Sequence, residues 1–118
     1  MNHREAERRG RGAETIACWY LRMRGWRILA RRARVPGGEV DIVAKRGRTL
    51  AFVEVKARAD LETAGFSLHG RQFGRVAAAA SLFVARHPHY AAHSLRFDAM
   101  LVVGLWPRHL PDVWRAPE

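Results

Sequence analysis

Three carboxylates and one lysine lie inside two short apolar runs of this sequence. Glu39 and Asp41 fall in Gly38-Glu39-Val40-Asp41-Ile42-Val43, and Glu54 and Lys56 in Ala51-Phe52-Val53-Glu54-Val55-Lys56. Both runs have strand composition, and the break at Arg46-Gly47 reads as a hairpin turn. Side chains at i and i+2 of a strand share a face, so Glu39 is expected beside Asp41, and Glu54 beside Lys56. Val40, Ile42, Val53 and Val55 load one face of the hairpin. Val43 and Phe52 make the charged face partly apolar too, the pattern of a sheet covered on both sides. Burying charge there is costly unless it is paired or binds a metal, and carboxylates in such a cleft suit a hard cation. The plainer alternative is a solvated Glu54–Lys56 or Asp41–Lys56 ion pair of little energetic worth.

Whether the two pairs meet depends on register. A two-residue loop at Arg46-Gly47 sets Asp41 opposite Phe52, diagonal to Glu54, and a four-residue loop sets Asp41 directly opposite Glu54. A three-residue loop sends them to opposite faces unless a bulge at Gly47 restores the parity.

The elements that must position these groups are legible on either side. Residues 1–12 read as a flexible basic arm, and residues 13–118 as a single domain. From Ala13 the apolar residues Ile16, Ala17, Tyr20 and Leu21 recur at helical spacing, with Gly25 as a stop. Glu14 at the start of that helix suits the positive end of its dipole. Trp26 to Arg34 reads as a first, strongly basic strand, and Pro36-Gly37-Gly38 as a turn. Asp60 to His69 is an irregular connection. Phe73, Val76, Ala77, Ala80, Phe83 and Val84 make an amphipathic stripe ending near His87-Pro88. Ser94 to Val103 reads as the last strand. The expected fold is α/β in the order αβββαβ, a mixed central sheet with a helix on each face. A right-handed crossover then brings the last strand parallel beside that of Glu54.

The chain has 118 residues, enough for a core without disulfides. It carries 21 Lys and Arg against 11 Asp and Glu, a formal charge of +10, which points to a polyanionic partner. High-GC coding, which favours Arg and Ala, is the alternative source of that balance. Cys18 allows no internal disulfide, in keeping with a reducing cytoplasm, and falls among core positions. No secretory signal or membrane span is expected, since the longest uncharged run, Val76 to Ala85, is far too short. His87, His89 and His93 lack the further ligands of a zinc set and read as surface histidines. No phosphate-cradling Gly-rich loop and no nucleophile elbow occur.

The pattern Glu-x-Asp, a dozen residues, then Glu-x-Lys resembles the PD-(D/E)xK nuclease superfamily. The longer string, Gly38 to Val43 followed by Phe52-Val53-Glu54-Val55-Lys56-Ala57-Arg58, resembles the YraN family of small bacterial proteins. That family is described as predicted endonucleases similar to archaeal Holliday-junction resolvases. Further likeness is found at Gly12-Ala13-Glu14, at Arg96-Phe97-Asp98 and in the tail from His109 to Arg115. The resemblance implies a restriction-endonuclease-like core and Mg²⁺- or Mn²⁺-dependent hydrolysis of phosphodiesters. Asp41, Glu54 and the carbonyl of Val55 would be the metal ligands. Lys56 would orient or deprotonate the attacking water, Glu39 would bind a second metal or hold Lys56, and Glu14 would stand in an outer shell. Arg31, Arg32, Arg34, Arg58, Arg71, Gln72 and Arg75 are the candidate nucleic-acid contacts, DNA being the expected partner. A homodimer is implied by analogy with the resolvases.

For Asp98 an ion pair with a neighbouring arginine is favoured over metal ligation. Trp106 and Trp114 are expected to cover the end of the sheet. The rival readings are a non-cutting nucleic-acid-binding module, suggested by Gln72 where the family has Lys, and a small partner protein in DNA repair or uptake.

Overall fold

A computed structural model describes residues 3–58 and 70–115, with the side chains of 3–11, 58 and 70–72 excepted. The elements are α1 (His3–Met23), β1 (Arg27–Val35), β2 (Gly38–Arg46), β3 (Thr49–Arg58), α2 (Gly70–Arg86), a 3₁₀ turn (Pro88–Tyr90), β4 (Ser94–Val103) and β5 (Trp106–Trp114). The expected αβββαβ order holds, with a fifth strand added. The sheet order is β1-β2-β3-β4-β5. β3 and β4 are parallel, and the other neighbours are antiparallel. This α/β arrangement is compatible with a restriction-endonuclease-like core.

Helix α1 opens at His3, ten residues ahead of the expected start at Ala13. Glu14 is therefore an interior helix residue, and the helix-dipole role assigned to it does not apply. The helix ends as its sequence predicts. Gly25 adopts φ 89°, and the Trp26 N–H reaches back to the Leu21 carbonyl at 3.0 Å, closing a Schellman motif.

One apolar layer joins Ala17, Cys18 and Leu21 of α1 to Ile42, Ala44, Ala51, Val53, Met100 and Val102 of the sheet. The other joins Phe73, Val76, Ala79 and Ala80 of α2 to Val40, Val43, Leu50 and Phe52. Leu50, Ala51, Phe52 and Val53 are all fully buried, so β3 is covered on both faces, as its unbroken apolar run requires. Each large apolar side chain so buried contributes about 1.5–3 kcal/mol.

Val40 departs from the expected face. It packs in the α2 layer although Ile42 packs in the α1 layer, so β2 switches faces between them. β1 switches at the same level: Ala30 and Ala33 share the α2 layer, and Arg32 between them takes φ 51°. The β1–β2 ladder pairs Arg31 with Ile42 and Ala33 with Val40, and is interrupted at Arg32 and Asp41. A left-handed arginine absorbs the half-turn that alternation cannot.

β5 was not anticipated, because Pro107 and Pro111 weaken its strand signal and a register shift breaks its alternation. It is bound to β4 through Asp98, which is fully buried. Arg96 donates to both carboxylate oxygens at 2.9 Å, His109 Nε2 bonds Oδ2 at 2.7 Å, and the Asp112 N–H donates to Oδ1 at 2.9 Å. Burial alone would raise the Asp98 pKa; the hydrogen bonds from His109, Arg96 and Asp112 outweigh it and hold the pKa below the usual carboxylate value. The expected arginine pair is thus present, extended by His109. Trp114 covers its end of the sheet, stacking on Phe73 at 5.8 Å, whereas Trp106, expected to do the same, is 80% exposed.

Two stability predictions follow from this packing. A Cβ added at Gly38 would stand 2.3 Å from the Arg75 carbonyl oxygen and 2.9 Å from the Ala79 nitrogen, both backbone atoms of α2. Gly38→Ala is therefore expected to cost about 1–3 kcal/mol by denaturant titration. Asp98→Ala strands Arg96 and is expected to cost about 3–5 kcal/mol, a loss read by the same titration.

Candidate active site

The hairpin register is the one that a four-residue loop would give, Lys45 opposite Leu50, with Arg46 and Thr49 also paired around the tight turn Gly47-Arg48. The paired ladder runs out to Ile42 and Val53, and Asp41 and Glu54 occupy the next positions outward. There the strands part. The Val55 N–H donates to Asp41 Oδ2 at 2.7 Å, so a side chain takes the place of a ladder carbonyl.

Glu54 is 8% exposed, and Lys56 Nζ lies 3.4 Å from its Oε1. Alternation from Phe52 aims both toward the α2 side. Glu14, also 8% exposed, comes from the α1 side, and its Oε2 meets Arg32 Nε at 2.5 Å. Asp41 feels all of these groups. Its pKa is pushed up to about 7, first by burial and then by the Glu54 carboxylate, with a smaller push from Glu14; the Val55 amide and Lys56 oppose the rise. Asp41 is thus within electrostatic reach of Glu14, Glu54 and Lys56, and Val55 joins it through its N–H.

Glu39 stands apart. The face switch at Asp41 breaks the i, i+2 relation, and Glu39, half exposed, lies 3.7 Å from both Arg34 and Arg75. Those two arginines are 82% and 61% exposed. Arg31 donates to Thr15 Oγ1 at 3.3 Å on the exposed surface. Arg32, its side chain 41% exposed, pairs with Glu14. The side chains of Arg58, Arg71 and Gln72 lie outside the described residues.

The sequence offered no sign of Arg32 as a partner for Glu14, because neither Gly nor Asn marks the left-handed position. His109 was likewise missed, since only the chain reversal at Gly104 brings it to Asp98. The other candidates behave as structural groups. Cys18 is 1% exposed, and burial pushes its thiol pKa up. His87 stacks on Phe83 with centroids 4.3 Å apart, and His89 lies against Tyr90 at 4.0 Å. Among the described residues, no three His, Cys, Asp or Glu side chains are grouped to hold a metal.

The raised Asp41 pKa sets a pH dependence of defined sign. A carboxyl whose folded pKa lies above its unfolded value contributes stability fully present below about 3.8 and lost as pH rises through about 7. Metal-free protein is therefore expected to gain stability as pH falls from 8 toward 4, by at most about 4 kcal/mol. Asp41→Asn, which keeps an acceptor for Val55, is expected to raise the melting temperature at pH 8 and flatten that profile. A calorimetric pH series on both proteins checks it.

Comparison with known proteins places the chain. The model described as "Uncharacterised protein family UPF0102" matches residues 13–102. A UPF0102 protein of Parvibaculum lavamentivorans is 50% identical over 111 residues, covering 93% of this chain and 84% of that one. One from Methylorubrum extorquens is 49% identical, covering 90% and 84%. Another from Paramagnetospirillum magneticum is 49% identical over 119 residues, covering 96% and 92%. The matched segment contains Glu14, the whole hairpin with Asp41, Glu54 and Lys56, and Asp98. This chain belongs to the UPF0102 family, the YraN group whose hairpin motif its own resembles.

Proposed function

We propose that the chain is a metal-dependent nuclease that hydrolyses DNA phosphodiesters at Asp41 and Glu54. The observation that carries this reading is the half-buried Asp41 carboxyl, whose pKa is pushed up by desolvation and by the Glu54 carboxylate, and which among the described residues takes its hydrogen bond from the Val55 N–H. Two mutually repelling acids shielded from much of the water are a poor structural solution, and a bound cation is the simplest remedy.

The donors fit Mg²⁺ or Mn²⁺. Such ions take oxygen ligands, keep several waters and need only one or two carboxylates. Asp41 and Glu54 would hold the ion. Bound there, it would acidify a water and neutralise charge developing on the phosphoryl oxygens.

The chain's own groups supply the rest. Lys56, 3.4 Å from Glu54, is placed to hold a water or to balance charge on the scissile phosphate. Arg34 and Arg75, both largely exposed, can grip flanking phosphates, at the cost of loosening Glu39. Glu14 keeps Arg32 folded against the site. Phosphate contacts of this kind position a strand without reading its sequence, so cleavage is selective for structure or nonspecific. Among the described residues no helix is long and apolar enough to cross a membrane.

Labelled four-way junctions, flaps, single strands and duplex, incubated with Mg²⁺ or Mn²⁺, test the reading. Wild type is expected to cut at least one of them, with the rate falling by roughly 10²-fold or more in Asp41→Ala and in Lys56→Ala. DNA binding with no cutting of any substrate, unchanged by either substitution, would favour the non-catalytic binding module.

A further inference from the structure

The outer face of α1 is not used by the proposed chemistry. Thr15, Trp19 and Met23 recur every four residues, about 6 Å apart along the axis, and form one exposed strip. Trp19 is 61% exposed and Met23 79%. Glu14, in the same turn as Thr15, is within electrostatic reach of Asp41, and Arg31 of β1 bonds Thr15 directly. Its far end is cationic: the Arg22 guanidinium lies 5.8 Å from the Trp19 ring, and Arg24 and Arg27 are exposed nearby in the chain. Among the described side chains of α1 the one carboxylate is Glu14, which is buried.

A flat indole whose exposed charged neighbours, among the described side chains, are arginines matches a polyanion that offers planar apolar faces. An unpaired nucleic-acid strand has both properties, whereas duplex keeps its base faces inside the stack. A second copy of this chain would set arginine against arginine.

We propose that this strip binds unpaired DNA running from the Asp41–Glu54 site, with a base stacked on Trp19 and phosphates on Arg22 and Arg31. This rests on the nuclease reading and narrows its substrate to DNA with a single-stranded arm.

Anisotropy of labelled oligo-dT and of a blunt duplex of equal length, in EDTA, tests the strip without cleavage. Trp19→Ala is expected to weaken oligo-dT binding about tenfold while leaving duplex binding and the salt slope unchanged, because stacking releases no counterions. Trp19→Phe should restore most of the affinity, and Arg22→Gln should lower the salt slope. Equal weakening on both substrates, or none on either, overturns the proposal. So does tighter retention of oligo-U than oligo-dT, or a Trp19-dependent dimer in light scattering. Discrimination by Trp19 without cleavage of any substrate would instead retain the strand site and remove the nuclease reading.

Discussion

The hydrogen bond from the Val55 N–H to Asp41 is the contact on which the site depends. It forms because β2 leaves β3 beyond Ile42, and it places a carboxylate where a ladder carbonyl would normally stand. A carboxylate in that gap loses most of its water and receives one backbone donor in return. Burial therefore dominates its titration and raises its pKa, to about 7. The fold tolerates an unfavourable group at the point where its own sheet opens.

Asp98 shows what the same side chain does when the surroundings are built to satisfy it. It is more deeply buried than Asp41, yet its pKa is lowered, because two guanidinium hydrogen bonds, one to His109 and one backbone amide outweigh desolvation. One aspartate closes β5 onto β4 and leaves no valence for a ligand. The other, among the described residues, is held by the Val55 N–H and repelled by a second acid. The number and kind of donors around each carboxylate separate a structural role from a chemical one.

The arginine excess is distributed with similar economy. Arg32 is paired with Glu14, and Arg96 with Asp98, with Arg96 also over the Trp26 ring at 5.2 Å. Arg34 and Arg75 stay mostly in solvent with Glu39 between them, a loosely held arrangement open to competition by phosphate. A formal charge of +10 thus resolves into guanidiniums committed to packing and others available to a polyanion.

The sequence by itself determined the α/β class, the helix stripes and the hairpin, while the register that relates Asp41 to Glu54 was left among three loop lengths and is set in the structure. Strand periodicity and apolar runs are local properties, and β3 is apolar on both faces whatever surrounds it. The family resemblance rested on the same hairpin. The face switch at Arg32 and Asp41, which separates Glu39 from the site, was decided only in three dimensions, because it requires β1 and β2 to change parity together. The partner of Glu14, the fifth strand and the enclosure of Asp98 by His109 were also tertiary outcomes. Each joins residues distant in the chain, and period-2 or period-3.6 patterning carries no information about which distant surface a side chain will meet.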